Sequence, residues 1–126
     1  MTTLQRALIV DDEPDIRDGV SRWLKAGGYE TSMATDGEAG LRAARESAPD
    51  VILLDVRMPK MGGMQALTEL RADAGTSGIP VIMLSASLRD EQLALDAGAT
   101  FFVHKPYDGR RLVAAVSAAI RHRSDH

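Results

Sequence analysis

The stretch VILLDVRMP, residues 51–59, decides the fold. Val51–Leu54 is an unbroken apolar run closed by a single acid, Asp55. A short run with no polar alternation is the mark of a strand covered on both faces, as in parallel sheets. Working outward, Ala7–Val10 and Val81–Leu84 repeat that pattern, and Tyr29–Ala34 and Phe101–Val103 are further strand candidates. Between these runs the apolar spacing becomes helical. The first helical segment opens at Glu13-Pro14, carries Ile16, Val20 and Leu24 four apart, and ends at Gly27-Gly28. Asp36 is the N-cap of a second, which carries Leu41 and Ala44 and which Pro49 stops. A third carries Leu67 and Leu70 and runs into the loop AGTSG, 74–78. The fourth opens near Ser87, where Ser87-Leu88-Arg89-Asp90 has the form of a capping box, and ends at Gly98. The fifth repeats Leu112, Val116 and Ile120. Five strand-plus-helix units predict a doubly wound α/β domain, with right-handed crossovers and helices on both faces of a five-stranded parallel sheet.

The whole-chain numbers narrow the chemistry. The 126 residues fit one domain, 1–126, large enough for its own core. No apolar run is long enough to span a bilayer and no export signal opens the chain, so a cytoplasmic protein without a membrane partner is expected. The absence of cysteine excludes disulfides, thiolate metal sites and cysteine nucleophiles. A net charge of −3 argues against direct nucleic acid binding through an overall field.

In doubly wound sheets ligands collect beyond the carboxyl ends of the strands. There the sequence places Asp11 and Asp12 after the first strand, Asp55 after the third, Ser85 after the fourth and Lys105 after the fifth. Three carboxylates held together repel one another, and a divalent cation removes that penalty. An all-oxygen donor set suits Mg2+, which keeps several waters and takes one or two carboxylates. Lys105 and Ser85 would then face an anionic group beside the metal. Taken singly, each residue has a plainer reading: Asp11 or Asp12 as a helix cap, Ser85 as a strand-end hydroxyl satisfying backbone groups, Phe102 as core.

This arrangement resembles the receiver domain of bacterial response regulators. The matching motifs are LIVDDEP at 8–14, DVRMP at 55–59, SA at 85–86, GA at 98–99 and KP at 105–106, and they cover nearly the whole chain. The resemblance implies the flavodoxin-like (βα)5 fold with strand order 2-1-3-4-5. It makes Asp55 the acceptor of a phosphoryl group from a phosphohistidine donor. Mg2+ would be held by Asp12, by Asp11 mainly through water, by Asp55 and by the main-chain carbonyl of Arg57, while Ser85 and Lys105 would contact the phosphoryl oxygens. It also implies a switch in which the Ser85 hydroxyl moves inward and Phe102 rotates, altering the surface of helix four, strand five and helix five. The implied partners are a sensor histidine kinase or histidine phosphotransfer protein as donor and a downstream protein target or output domain as reader. A homodimer is left open, as is the choice between a stand-alone regulator and the amino-terminal part of a longer one.

The chain departs from that pattern in places. The stretch from Ser85 to Lys105 is short for a receiver, and the missing length is expected in the loop and first turn of helix four. Gly62 replaces a frequently polar residue, and Phe102 a more usual tyrosine. Two rival functions fit less well. A haloacid-dehalogenase-type phosphohydrolase needs an acid two residues after its nucleophile, where this chain has Arg57. A flavodoxin-like nucleotide or flavin binder needs a small-residue phosphate loop where this chain has Asp11-Asp12-Glu13-Pro14. Arg110, Arg111, Arg121 and Arg123 form a basic scatter on the last helix, and for Arg121 and Arg123 favourable placement at a helix carboxyl end suffices. His104, His122 and His126 lack ligand spacing.

Overall fold

The computed structural model describes residues 3–124. Its elements run β1 (Arg6–Val10), α1 (Pro14–Ala26), β2 (Glu30–Ala34), α2 (Gly37–Ser47), β3 (Val51–Asp55), α3 (Gly63–Ala72), β4 (Val81–Ser85), α4 (Arg89–Asp96), β5 (Phe101–His104) and α5 (Gly109–Ser124). The strands form one parallel sheet in the order β2-β1-β3-β4-β5, as expected.

The apolar runs acquire their reason in the packing. Ile52 and Leu54 of β3 enter a core with Leu41, Leu67 and Leu70. Val51 and Leu53 enter the opposite one with Val20, Leu24, Leu112 and Val116. A strand whose two faces both meet helices has no polar position to spare. Pro14 starts α1, and Gly28, with φ +96°, terminates it in a conformation that favours glycine. Asp36 Oδ1 accepts from the Ala39 N–H at 2.8 Å, the cap read from the sequence.

The expected strand boundaries shift slightly. β2 begins at Glu30, not Tyr29, while β3 and β4 run one residue further, so Asp55 and Ser85 are the last residues of their strands. The fourth helix needs a larger correction. It begins at Arg89, and its N-cap position, Leu88, makes no side-chain cap. The expected capping box at Ser87 does not form, because Asp90 turns its carboxylate to Ser85 instead. Among the described residues, no helix is long and apolar enough to cross a membrane.

Candidate functional site

Backbone bonds that prolong the sheet fix the strand ends. The Asp11 N–H donates to the Ala34 carbonyl at 3.2 Å, Val56 N–H to Leu84 at 3.0 Å, and Lys105 N–H to Ser85 at 2.9 Å. Gly63 keeps α3 against the end of β3: a methyl group there would collide with the Asp55 carbonyl oxygen and lie 2.9 Å from Val56 Cα. The Lys105–Pro106 peptide is cis.

This framework brings Asp11, Asp12 and Asp55 together, with one carboxylate oxygen of each within 4.8 Å of the others. Asp11 is 1% and Asp55 3% exposed, whereas Asp12 is more open. Asp11 Oδ1 accepts from the Glu13 N–H at 2.9 Å. Among the described residues, Asp11 Oδ2 is the one buried side-chain polar atom without a hydrogen-bond partner. Burial pushes the Asp11 carboxyl above the usual carboxylate range; the Glu13 bond and Lys105 pull it down, while Asp55 and Asp12 push it further up.

Lys105 Nζ donates to Asp55 Oδ1 at 2.6 Å and lies 3.9 Å from Asp11 Oδ2. Burial works against the ammonium, but the bond to Asp55 and the surrounding negative charge outweigh it and raise its pKa. Asp55 itself stays raised, since its burial, with Asp12 and Glu13 nearby, exceeds what Lys105 offsets. One ammonium does not neutralise this cluster. An orphaned buried carboxylate oxygen and an all-oxygen donor set are what a hard divalent cation would satisfy.

The response regulator receiver domain model matches residues 7–117. The chain belongs to this family. The receiver is 40% identical over 126 residues to the DNA-binding response regulator MtrA of Mycolicibacterium smegmatis, an alignment covering 98% of this chain and 54% of that protein. It spans about half the length of the curated relatives it matches. The chemotaxis protein CheY4 of Vibrio cholerae superposes with a TM-score of 0.86 at 32% identity, over 93% of this chain and 99% of that one. The receiver domain of the sensor histidine kinase PA1611 from Pseudomonas aeruginosa PAO1, solved with a magnesium ion coordinated in its active site cleft, gives 0.88 at 29% identity, over 94% and 99%.

Beyond the acids, the receiver has a second network that the sequence did not announce. Ser85, 2% exposed, donates its hydroxyl proton to Asp90 Oδ2 at 2.6 Å and accepts from the Ser87 N–H at 3.1 Å. The Arg57 guanidinium approaches the same Asp90 carboxylate at 3.4 Å. Asp90 was hidden by the capping-box pattern, and only the tertiary proximity of β4 and α4 shows its partner. Phe102 is half-buried against the α2, α3 and α4 side of the core, its ring edge-on to His104 with centroids 4.9 Å apart. His104 Nε2 in turn lies 2.9 Å from Glu91 Oε1 on α4. Arg121 bonds Ser117 within its own helix at 2.7 Å, and His126 lies outside the described residues. An apolar groove of about 500 Å³ opens beside Lys105, lined by Ile16, Val20, Trp23, Pro106 and Tyr107 among others.

Proposed function

We propose that residues 1–126 form one cytoplasmic receiver domain that accepts a phosphoryl group on Asp55 from a phosphohistidine donor and presents a changed α4, β5 and α5 surface to a downstream target or output domain. The observation that supports this reading is the buried Oδ2 of Asp11, which accepts no hydrogen bond, in a carboxylate cluster that already holds Lys105 on Asp55. Asp12, Asp55, Asp11 through water and the main-chain carbonyl of Arg57 would hold Mg2+. Bound there, the ion supplies positive charge that offsets the cluster and the incoming phosphoryl oxygens.

In the transfer, an Asp55 carboxylate oxygen forms the P–O bond while the donor P–N bond breaks. The electron pair leaves with the imidazole nitrogen, which takes a proton from solvent water. Lys105 exchanges its bond to Asp55 for one to a phosphoryl oxygen, and Ser85 donates to another. The protein's part is positioning and charge neutralisation, with its own phosphorylation and dephosphorylation its only chemistry. Coverage of about half the length of DNA-binding relatives favours this domain acting as the receiver of a longer regulator. The domain's net charge of −3 supports leaving nucleic acid contact to other segments.

Incubation with acetyl phosphate and Mg2+ should add one phosphoryl group, mapped by peptide mass spectrometry to residues 51–59. Labelling of Asp55→Asn to the parent's level would overturn the assignment.

A further inference from the structure

A serine hydroxyl has one proton to donate, and that of Ser85 is already committed. It goes to Asp90 Oδ2 at 2.6 Å, within the short range of charge-assisted bonds. The acceptor is unusual for its place in the fold. Asp90 stands in the first turn of α4, where a carboxylate is favoured by the helix dipole while remaining in water. Here the residue is only 6% exposed. Burying a carboxylate is costly unless it is paired, and its partners are the Ser85 hydroxyl and the Arg57 guanidinium, 3.4 Å away and largely in solvent.

α4 has little else to fix its beginning. It carries no side-chain cap, and Asp90 and Ala94 are its only buried residues. The contact that seats Asp90 thus also seats the first turn. A phosphoryl oxygen on Asp55 needs the same proton that Asp90 holds.

We propose that Asp90 is a positioning residue that holds the Ser85 hydroxyl away from the phosphoryl group, with Arg57 as its counter-charge, so that phosphorylation must break the Ser85–Asp90 bond and release the first turn of α4. This rests on the reading of Asp55 as phosphoacceptor and Ser85 as a phosphoryl ligand. Arg57 keeps Asp90 partnered after the hydroxyl leaves, which makes the exchange reversible without stranding a buried charge. The set point of the switch then lies in the strength of one hydrogen bond.

The test is the affinity for beryllofluoride with Mg2+, titrated by calorimetry into the parent, Asp90→Ala, Asp90→Asn, Ser85→Ala and the Ser85→Ala/Asp90→Ala double variant. Removing the competing acceptor should tighten binding about tenfold in Asp90→Ala. Asp90→Asn should gain less, because its amide oxygen still accepts. In the Ser85→Ala background the Asp90 change should have no effect. Unchanged or weaker binding in folded Asp90→Asn, or an equal gain with and without Ser85, overturns the proposal; the equal gain would mark a general charge effect. No binding to the parent overturns the phosphoacceptor reading and this inference together, whereas parental binding with unresponsive Asp90 variants overturns this inference alone.

Discussion

The two halves of the site are built differently. On the β1 and β3 side, Asp11 follows and Asp55 ends a strand whose residues, Ala7–Val10 and Val51–Leu54, are at most 1% exposed, and backbone bonds set their positions. On the β4, α4 and β5 side, side chains hold side chains: Ser85 by Asp90, Asp90 by Arg57, His104 by Glu91. α4 shows Leu93 and Leu95 to solvent, as does Leu88 at its N-cap, and β5 has one fully buried residue, Val103. Charge is concentrated where backbone bonds fix the strand ends, whereas the other half rests on side-chain bonds that could be exchanged one at a time without opening the core.

That contrast can be broken most sharply by truncation. Leu53→Ala, in the doubly covered strand, should cost about 2–5 kcal/mol in urea unfolding, and Leu93→Ala, on the open face of α4, should stay within about 0.5 kcal/mol. Similar losses at both would erase the distinction between a rigid and a loosely seated half. Next in size is metal affinity. By calorimetry, Asp12→Ala should weaken Mg2+ binding at least about tenfold while Ser85→Ala leaves it unchanged; equal losses would mean that the hydroxyl half also carries the ion.

The smallest effect is electrostatic. Asp11 and Asp55 titrate above the usual carboxylate range, chiefly through burial. Their stabilising contribution is therefore full below that range and is lost as pH rises through their raised values. Asp73 runs the other way: bonds from Gly75 and Arg45 lower it, so its contribution is lost as pH falls. Without Mg2+, Asp11→Asn should be the more stable protein at about pH 7, by about 1 kcal/mol, and the advantage should shrink as pH falls and the raised Asp11 carboxyl takes up its proton. An advantage independent of pH would show that Asp11 is not a buried, strained carboxylate.

The rigid half was legible in the sequence; of the exchangeable half Ser85 and Phe102 were legible but the bonds that hold Ser85 were not, for a physical reason. Runs such as Val51–Leu54 report burial residue by residue, and an acid at the end of each run reports the edge where ligands gather. Asp90 carries no such signal. Its spacing from Ser87 matched a local capping pattern, but the chain resolved the choice through a partner on a neighbouring element. Arg57 was noted for its main-chain carbonyl, whereas its side chain reaches across to α4. Phe102 kept both readings, core and switch, because half-burial beside His104 serves either.

The most direct measurement is amide hydrogen exchange, compared between the free protein and its complex with beryllofluoride and Mg2+. The account predicts added protection around Asp11, Asp12 and Asp55, together with altered exchange in residues 86–92 and 100–107, smaller than in a typical receiver because the stretch from Ser85 to Lys105 is short. Changes confined to the three acids, with segments 86–92 and 100–107 exchanging as before, would contradict it: the cleft would fill without moving the half built to move.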